Sequence, residues 1–419
     1  MKDILNYRVK KNPDKIFIQH NNKEISYKIF NFMINNAMDT IKSMNYQEQY
    51  IGIQINDTLK NLILIIAMNR CKKIPVLYPN YPNIKDYLNS TNIPILLKDQ
   101  HINIDSKINN GTNKTIYDTY KTQLVLFTSG STGKPKACKL TYNNFYQSAK
   151  QWNKIIQFSK KDIYLNHMPI THVSGLCIFF RALYYNFKML ICNFDTNHYI
   201  QDIKKEQVTL ISMVPTMLQR IIDNNTILEP LQNLKSIIIG GARINKNLFK
   251  TINTNKIPTY MSYGMTETCS GIAGFWIEQK NNIKYKAHNN VNVTVDKSQI
   301  IIKSKTIMKS YLHHKNTNGI FKSNDIGIIE NNGIFKIQKT SDKIINSGGE
   351  KASISYVKKH IESYPEIKKC TLKIIRNNKW GEVLHAYVSY NKNIGASFWV
   401  NKMKKSLPKH MIPKKIITQ

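Results

Sequence analysis

A short polar loop near the middle of the chain carries the first residues that could do chemistry. The apolar run at residues 124–127 is followed by small polar residues and then by Lys134 and Lys136. The loop residues are Thr128, Ser129, Gly130, Ser131, Thr132 and Gly133. Glycine lets a backbone approach an anion closely, and hydroxyl and N–H groups donate hydrogen bonds to it. The pattern predicts a phosphate-binding loop, although an ordinary Gly/Ser surface turn explains the same composition.

This loop is not a Walker A loop, because only two residues separate Gly130 from Gly133 and Pro135 follows the first lysine. A second stretch, residues 263–268, reads YGMTET and combines an aromatic ring, a glycine, two hydroxyls and a carboxylate. Such a set could stack on adenine, bind a phosphate and hold Mg²⁺. Taken alone, it could equally be a strand that runs into a turn.

The two stretches together resemble the adenylate-forming (AMP-binding) superfamily, which includes acyl-CoA ligases, peptide-synthetase adenylation domains and luciferases. The string LVLFTSGSTGKPKACK at residues 124–139 is similar to the superfamily's phosphate-binding motif, and YGMTET matches its second motif. The resemblance implies an acid–thiol ligase that uses ATP, Mg²⁺ and coenzyme A. It also implies that Tyr263 and Gly264 contact the nucleotide, that Thr266 binds phosphate, that Glu267 holds Mg²⁺, and that Lys136 takes part in catalysis.

Three further segments resemble nucleotide-binding parts of this superfamily. Asp325, in FKSNDIG, aligns with an aspartate that accepts both ribose hydroxyls, although a lone Asp near Gly is more often a turn residue. Lys339 stands where the superfamily has Arg; it keeps the charge but loses the planar fork. Gly348 and Gly349 resemble the glycine loop that follows the hinge between two domains, beside the path of the CoA thiol.

One group of segments is similar to a narrower family, the o-succinylbenzoate–CoA ligases of menaquinone biosynthesis. Residues 168–176 read MPITHVSGL, and residues 212–216, 239–243 and 266–270 also resemble that family. The resemblance implies that His172 gates the acyl pocket and that Gly240, Gly241 and Ala242 line the acyl and adenine site. A histidine near a proline could also be an ordinary core residue. Another aryl- or fatty-acyl-CoA ligase is the alternative within the same chemistry.

The resemblance also implies a catalytic lysine in a C-terminal glycine–lysine motif. Residues 407–414, LPKHMIPK, match the approach to that motif, and the given sequence ends at Gln419 without it. We therefore expect a truncated C-terminal domain and impaired activity, since loss of one preorganised charge donor commonly costs ~10²–10³ in rate. A catalytically impaired nucleotide-binding relic is the alternative of a different class.

Composition sets wider limits on function. A net charge of +35 is typical of proteins that bind nucleic acids. Here the lysines are dispersed and accompany many Asn, Ile and Tyr residues, which favours a compositional bias over a nucleic-acid-binding surface. Six scattered cysteines without a C-x-x-C pair argue against a zinc site and a disulfide framework. The sequence predicts no nucleic-acid partner, no membrane span and a cytoplasmic protein, and it leaves a homodimer open.

The surrounding elements must bring the chemistry-bearing loops together. Strand, helix and strand patterns alternate over residues 51–78, which predicts a parallel sheet with helices on its faces. Ligands gather at the carboxyl ends of such strands, where the first loop, residues 215–216 and residues 240–242 lie. N-G pairs at Asn318 and Asn332 predict hairpins. We expect an α/β domain over residues 1–338, with parallel sheets plus a β-hairpin or barrel part, hinged to a small α+β domain over residues 339–419.

Overall fold

The computed structural model describes residues 2–99, 115–129, 135–278, 283–330, 333–339, 344–348, 350–377, 380–390 and 395–418. Gly130, Ser131, Thr132 and Gly133 of the predicted phosphate loop lie outside these ranges, and so does Gly349 of the predicted glycine loop.

Several helices begin at a short polar side chain that caps them. The Ser26 hydroxyl accepts a hydrogen bond from the backbone N–H of Ile29, and the Asp57 carboxylate accepts one from Lys60. The helices are α1 Ile4–Lys11, α2 Tyr27–Ser43, α3 Thr58–Arg70, α4 Lys85–Thr91, α5 Tyr142–Ile156, α6 Val173–Tyr185, α7 Tyr199–Lys205, α8 Pro215–Asn224, α9 Glu229–Gln232, α10 Lys246–Thr254, α11 Ile354–Glu362 and α12 Ala396–Lys404.

The strands follow the apolar runs of the sequence closely in the first half of the chain. They are β1 Ile16–His20, β2 Lys23–Ser26, β3 Tyr50–Gln54, β4 Ile74–Leu77, β5 Leu96–Lys98, β6 Thr122–Ser129, β7 Pro135–Thr141, β8 Ile163–Asn166, β9 Lys188–Ile191, β10 Leu210–Met213, β11 Ser236–Ile239, β12 Thr259–Met265, β13 Ser270–Trp276, β14 Tyr285–Ala287, β15 Val291–Asp296, β16 Gln299–Ser304, β17 Ser310–Tyr311, β18 Ile320–Ile329, β19 Ile334–Lys339, β20 Ile344–Ser347, β21 Glu350–Ser353, β22 Ile367–Asn377, β23 Gly381–Tyr390 and β24 Lys415–Thr418.

The largest sheet has a parallel half and an antiparallel half. Its order is β15-β16-β18-β19-β14-β13-β12-β11-β10-β8-β9-β1-β2. Strands β12, β11, β10, β8, β9 and β1 pair in parallel. The β-α-β unit predicted over residues 51–78 lies in the second sheet, where β3 and β4 pair in parallel. The predicted hairpin part continues the largest sheet through β13 and β14. The nucleotide-site candidates on β12 and β18 are therefore joined by one continuous set of strands.

A second sheet carries the first loop. Its order is β17-β7-β6-β4-β3-β5, and β6 pairs in parallel with β4 and antiparallel with β7. The three strand ends that were expected to meet at the edge of one parallel sheet therefore come from two different sheets. The ends of β10 and β11 belong to the large sheet and the end of β6 belongs to the second sheet. The two sheets share a hydrophobic core that includes Ile53, Leu126, Leu210 and Ile272.

The hairpin predicted at Asn318 has a longer connection than expected. Asn318 and Gly319 have the positive φ angles of 53° and 77° that an N-G turn requires, and β16 and β18 pair antiparallel, but residues 305–319 connect them rather than a tight turn. The segment between β16 and β18 instead crosses to the second sheet, where β17 pairs with β7. The hairpin predicted at Asn332 has better support: β18 and β19, which flank that residue, pair antiparallel.

The small C-terminal domain has its own sheet and core. Strands β21, β20, β23 and β22 form the sheet, and β24 pairs with β23. Helices α11 and α12 cover it through a core that includes Val357, Ile361, Trp399 and Met403. The change of sheet falls between β19, which ends at Lys339, and β20, which begins at Ile344. The large α/β domain and small α+β domain are as expected, and the boundary at residue 338 stays a prediction.

Candidate active site

A cavity of about 360 Å³ lies where the two sheets of the large domain meet the small domain. Strand ends form much of its wall, because the end of β6 at Thr128 and the segments that follow β8, β10 and β11 reach it. The predicted site residues that line it are Thr128, His172, Gly240, Gly241, Gly264, Thr266 and Gly348. Met411 of the small domain also lines the cavity, so both domains contribute to it.

Glu267 is buried and oriented by a tyrosine. The hydroxyl of Tyr311 donates a hydrogen bond to Glu267 Oε1 at 2.8 Å, and the Lys136 ammonium lies 5.2 Å from the centre of the Tyr311 ring. These three residues meet because β17 pairs with β7, which places Tyr311 opposite Cys138, two residues beyond Lys136. The backbone N–H of Met308 also donates to the Glu267 carbonyl at 2.8 Å. Tyr311 therefore contacts both the Glu267 carboxylate and the Lys136 ammonium.

Tyr263 and Asp325 form a second pair. The Tyr263 hydroxyl donates a hydrogen bond to Asp325 Oδ2 at 2.7 Å. Burial, together with the Asp325 charge, holds the pKa of the Tyr263 hydroxyl well above its usual range, so the phenol remains a donor. The rings of Tyr285 and Phe335 pack edge-on against Tyr263. The predicted adenine and ribose residues are thus in contact, although 62 positions separate them in the sequence.

Close backbone approach explains two of the site glycines. A Cβ atom on Gly264 would lie 2.1 Å from the Ser270 carbonyl oxygen, so only glycine fits between β12 and β13 at this point. Gly241 has a φ of +80°, a conformation that L side chains rarely adopt. Ala242 follows it, half-buried and outside the cavity wall. The turn after β11 therefore leaves bare backbone at the cavity.

Two histidines lie on the β8–α6 connection. His172 is the residue that precedes α6, and it lines the cavity as the resemblance implies. His167 lines the cavity as well, and its Nδ1 lies 2.7 Å from the Tyr199 hydroxyl. Burial lowers the pKa of His167 to about 4, so this ring is neutral at physiological pH. His167 therefore contributes no positive charge to the pocket.

Arg181 is the site residue that the sequence reasoning missed. Its side chain lines the cavity although the residue is only 3% exposed. One Nη2–H group donates to the Ser270 hydroxyl at 3.0 Å, and the guanidinium carbon lies 4.6 Å from the centre of the Trp152 ring. Among the described residues, its Nε–H has no hydrogen-bond partner. An arginine in the otherwise apolar segment CIFFRALYY of α6 was the signal that could have found it.

Other predicted positions are less fully described. Lys339 ends β19, and the structure describes its backbone but not its side chain. The same holds for Ser129 at the end of β6. In the part of the chain that the structure describes, no three His, Cys, Asp or Glu side chains form a metal-binding cluster. No described helix is long and apolar enough to cross a membrane.

Comparison with protein-family models identifies the chain. The model for AMP-binding enzymes matches residues 96–312, just over half of the 419 residues. The chain belongs to the AMP-binding enzyme family. The matched region holds Thr128, Lys136, Thr266 and Glu267, and ends at the β17 segment that braces Glu267.

The relatives and solved structures to which this AMP-binding enzyme is similar include ligases of o-succinylbenzoate and CoA. A 2-succinylbenzoate–CoA ligase of Bacillus subtilis strain 168 is 28% identical over 341 residues, which cover 75% of this chain and 70% of the relative. A double mutant of Bacillus subtilis o-succinylbenzoate CoA synthetase, bound with its product analogue, superposes with a TM-score of 0.91. That match has 21% identity and covers 100% of this chain and 95% of the other. The synthetase in complex with the acyl-adenylate intermediate superposes with a TM-score of 0.75, at 21% identity and 100% and 94% coverage.

Proposed function

We propose that this AMP-binding enzyme is an ATP-dependent carboxylate–CoA ligase that converts o-succinylbenzoate into o-succinylbenzoyl-CoA in menaquinone biosynthesis. The named relatives support this acid, and the shared fold supports the reaction type. The observation that carries the choice of acid is the buried guanidinium of Arg181 at the cavity wall.

The chemistry of the acid explains why such an arginine is needed. o-Succinylbenzoate carries two carboxylates, so one remains charged when the other reacts. Moving an unpaired charge into an apolar pocket is costly, and a guanidinium is well suited to pair with a carboxylate. Burial, with a further contribution from the Arg181 charge, lowers the pKa of nearby His288 to about 3. Arg181 is the one Arg or Lys side chain among the described residues that line the cavity, so it is the group that would neutralise the second carboxylate.

The first step forms the acyl-adenylate. An oxygen of the substrate carboxylate attacks the α-phosphorus of ATP, a P–O bond forms, and the bond to the β-phosphate breaks to release pyrophosphate. Such transfer depends mainly on positioning and charge neutralisation. In this proposal Asp325, held by Tyr263, accepts hydrogen bonds from the ribose, Thr266 binds phosphate, and Lys136 lies beside the phosphates with the loop at residues 128–133.

Glu267 fits the role of magnesium ligand. Its Oε1 is occupied by the Tyr311 hydroxyl, and no described residue donates a hydrogen bond to its Oε2. Mg²⁺ usually takes one or two protein carboxylates and completes its coordination with substrate phosphates and water. When bound, the ion would neutralise phosphate charge.

The second step forms the thioester. The CoA thiolate attacks the acyl carbon, a C–S bond forms, and the bond to the adenylate oxygen breaks to release AMP. Gly348 and Met411 of the small domain lie at the cavity wall, so the thiol would reach the acyl carbon beside them. The TM-score of 0.91 with the product-analogue complex supports a domain arrangement suited to this step.

Mass spectrometry of the purified protein with MgATP, CoA and single acids tests the proposal. We expect o-succinylbenzoyl-CoA and AMP from o-succinylbenzoate, and little thioester from 3-benzoylpropionate, which lacks the ring carboxylate, or from palmitate. Equal or faster reaction of either control acid would show a different acyl-CoA ligase. ATP binding without pyrophosphate or thioester from any acid would show a nucleotide binder instead.

A further inference from the structure

A hydrogen bond between two described side chains joins the two domains next to the cavity. Tyr356 lies on α11 of the small domain, and its hydroxyl donates to Oδ2 of Asp86, on α4 of the large domain, at 2.7 Å. The two residues are 270 positions apart in the sequence and belong to different domains. This contact therefore exists only when the domains are in the arrangement seen here. A hydroxyl bound to a carboxylate is one of the stronger and more directional hydrogen bonds in proteins.

Two further contacts across the same interface are less directional. The ring of Tyr81 in the large domain lies 5.8 Å from that of His410 in the small domain. The Arg220 guanidinium on α8 lies 5.9 Å from the centre of the Trp380 ring. Ring and cation–π contacts tolerate sliding and rotation of the partners. The Asp86–Tyr356 hydrogen bond is therefore the contact that can best specify one orientation.

The phenol remains a hydrogen-bond donor because it keeps its proton. Partial burial, followed by the interaction with Asp86, raises the pKa of the Tyr356 hydroxyl. Asp86 lies one residue before Tyr87, which lines the cavity. The segment of the large domain that carries Asp86 therefore also contributes to the cavity wall.

We propose that Asp86 and Tyr356 are a positioning pair that holds the small domain over the acyl-adenylate during thioester formation. This inference rests on the proposed function. The arrangement that contains the bond superposes better on the relative's product-analogue complex, with a TM-score of 0.91, than on its acyl-adenylate complex, with 0.75. The pair therefore acts in the second step, and it touches neither substrate nor reacting atoms.

Half-reactions of the full chain test the pair. Tyr356→Phe and Asp86→Asn each remove the hydrogen bond with little change of shape, and Tyr364→Phe is the matched control. The Tyr364 hydroxyl lies 3.1 Å from His360 Nε2 and from Ser406 Oγ, which are both in the small domain. We expect the two variants to form thioester from preformed o-succinylbenzoyl-AMP and CoA about tenfold more slowly than the wild type, the range for loss of a charged hydrogen bond.

Pyrophosphate release from o-succinylbenzoate and ATP without CoA should stay within about twofold of the wild type in all variants. The double variant should form thioester no more slowly than either single variant, because the two substitutions remove the same interaction. Unchanged thioester formation in Tyr356→Phe, or an equal loss in both half-reactions, would overturn the inference and leave the proposed function standing.

Small-angle X-ray scattering provides a second readout that needs no turnover. We expect the scattering of Tyr356→Phe and Asp86→Asn, but not of Tyr364→Phe, to show a larger radius of gyration than the wild type. Identical scattering of all four proteins would count against the pair. If the wild-type chain forms no thioester from the preformed adenylate, the proposed function fails, and the scattering comparison still decides whether the pair orients the domains.

Discussion

The guanidinium of Arg181 contacts a hydroxyl and an aromatic ring, and neither group carries a negative charge that could neutralise it. We expect Arg181→Met to lower kcat/KM for o-succinylbenzoate by about 100-fold, because truncating one partner of a buried charge pair has effects of this order. Steady-state thioester assays with o-succinylbenzoate and 3-benzoylpropionate measure the effect.

The control acid separates recognition from general damage to the site. Reaction of 3-benzoylpropionate should be unchanged or faster in Arg181→Met, since no second carboxylate needs the charge. Arg181→Lys should recover part of the activity toward o-succinylbenzoate. An equal loss for both acids would show that Arg181 supports the fold of the pocket rather than the choice of acid.

Tyr311 offers a prediction about the metal. Removing its hydroxyl in Tyr311→Phe leaves Glu267 Oε1 without the donor that orients it. We expect the affinity of the ATP-bound protein for Mn²⁺, measured by electron paramagnetic resonance as a substitute for Mg²⁺, to fall about tenfold, as for other partners that orient a metal ligand.

Tyr120→Phe is the control for this prediction, because that side chain is 71% exposed, whereas the Tyr311 hydroxyl donates to Glu267. Equal Mn²⁺ affinity in Tyr311→Phe and the wild type would contradict a role for Glu267 as the metal ligand that Tyr311 orients.

The sequence predicted the local motifs at the residue scale but not the partners that complete them. Thr128, Gly240, Gly264 and Thr266 could be placed from strings of adjacent residues, and all four reach one cavity. Arg181 contacts Ser270, 89 positions away, so no adjacent pattern reports its role. The functions of the individual site residues stay predictions.

At the scale of elements, the β8–α6 connection depends on close packing at the start of α6. A Cβ atom on Gly175 would lie 2.3 Å from the Met168 carbonyl oxygen and 2.6 Å from that of Pro169. We expect Gly175→Ala to destabilise the protein by ~1–3 kcal/mol, the usual range for overpacking. Urea unfolding followed by circular dichroism measures the free energy of unfolding.

Gly395→Ala is a suitable comparison for the same measurement. The nearest atom to a Cβ on Gly395 would be Ser397 Oγ at 3.9 Å, an ordinary contact. Gly395 is the N-cap residue of α12, where alanine caps less well than glycine, so we expect Gly395→Ala to lower the free energy of unfolding by less than about 1 kcal/mol. Similar stability of Gly175→Ala and the wild type would show that this connection can relax.

Elements whose partners are close in sequence were predicted well, and elements with distant partners were not. The β-α-β order over residues 51–78 was confirmed because each strand and helix follows its own apolar period. The connection at Asn318 between the antiparallel strands β16 and β18 is longer than the predicted turn because it includes β17, which pairs with β7, about 170 positions away. Turn chemistry fixes a local bend but does not decide which strand lies on the other side.

At the scale of the whole molecule, the sequence predicted a large and a small domain but not their arrangement. The cavity closes where residues of both domains meet, as in the contact between Asp86 and Tyr356. Contacts of this kind depend on side chains that are hundreds of positions apart and have no periodicity to reveal them. The meeting of two sheets at the site was likewise outside the reach of strand patterns.

The central claim is that this two-domain cavity joins an o-succinylbenzoyl group to CoA. The most direct measurement mixes the purified chain with preformed o-succinylbenzoyl-AMP and CoA and follows the products by mass spectrometry. The proposed function predicts o-succinylbenzoyl-CoA and AMP at a rate well above that without protein, and a strong loss of rate in Arg181→Met. A rate equal to that of the uncatalysed mixture would contradict it.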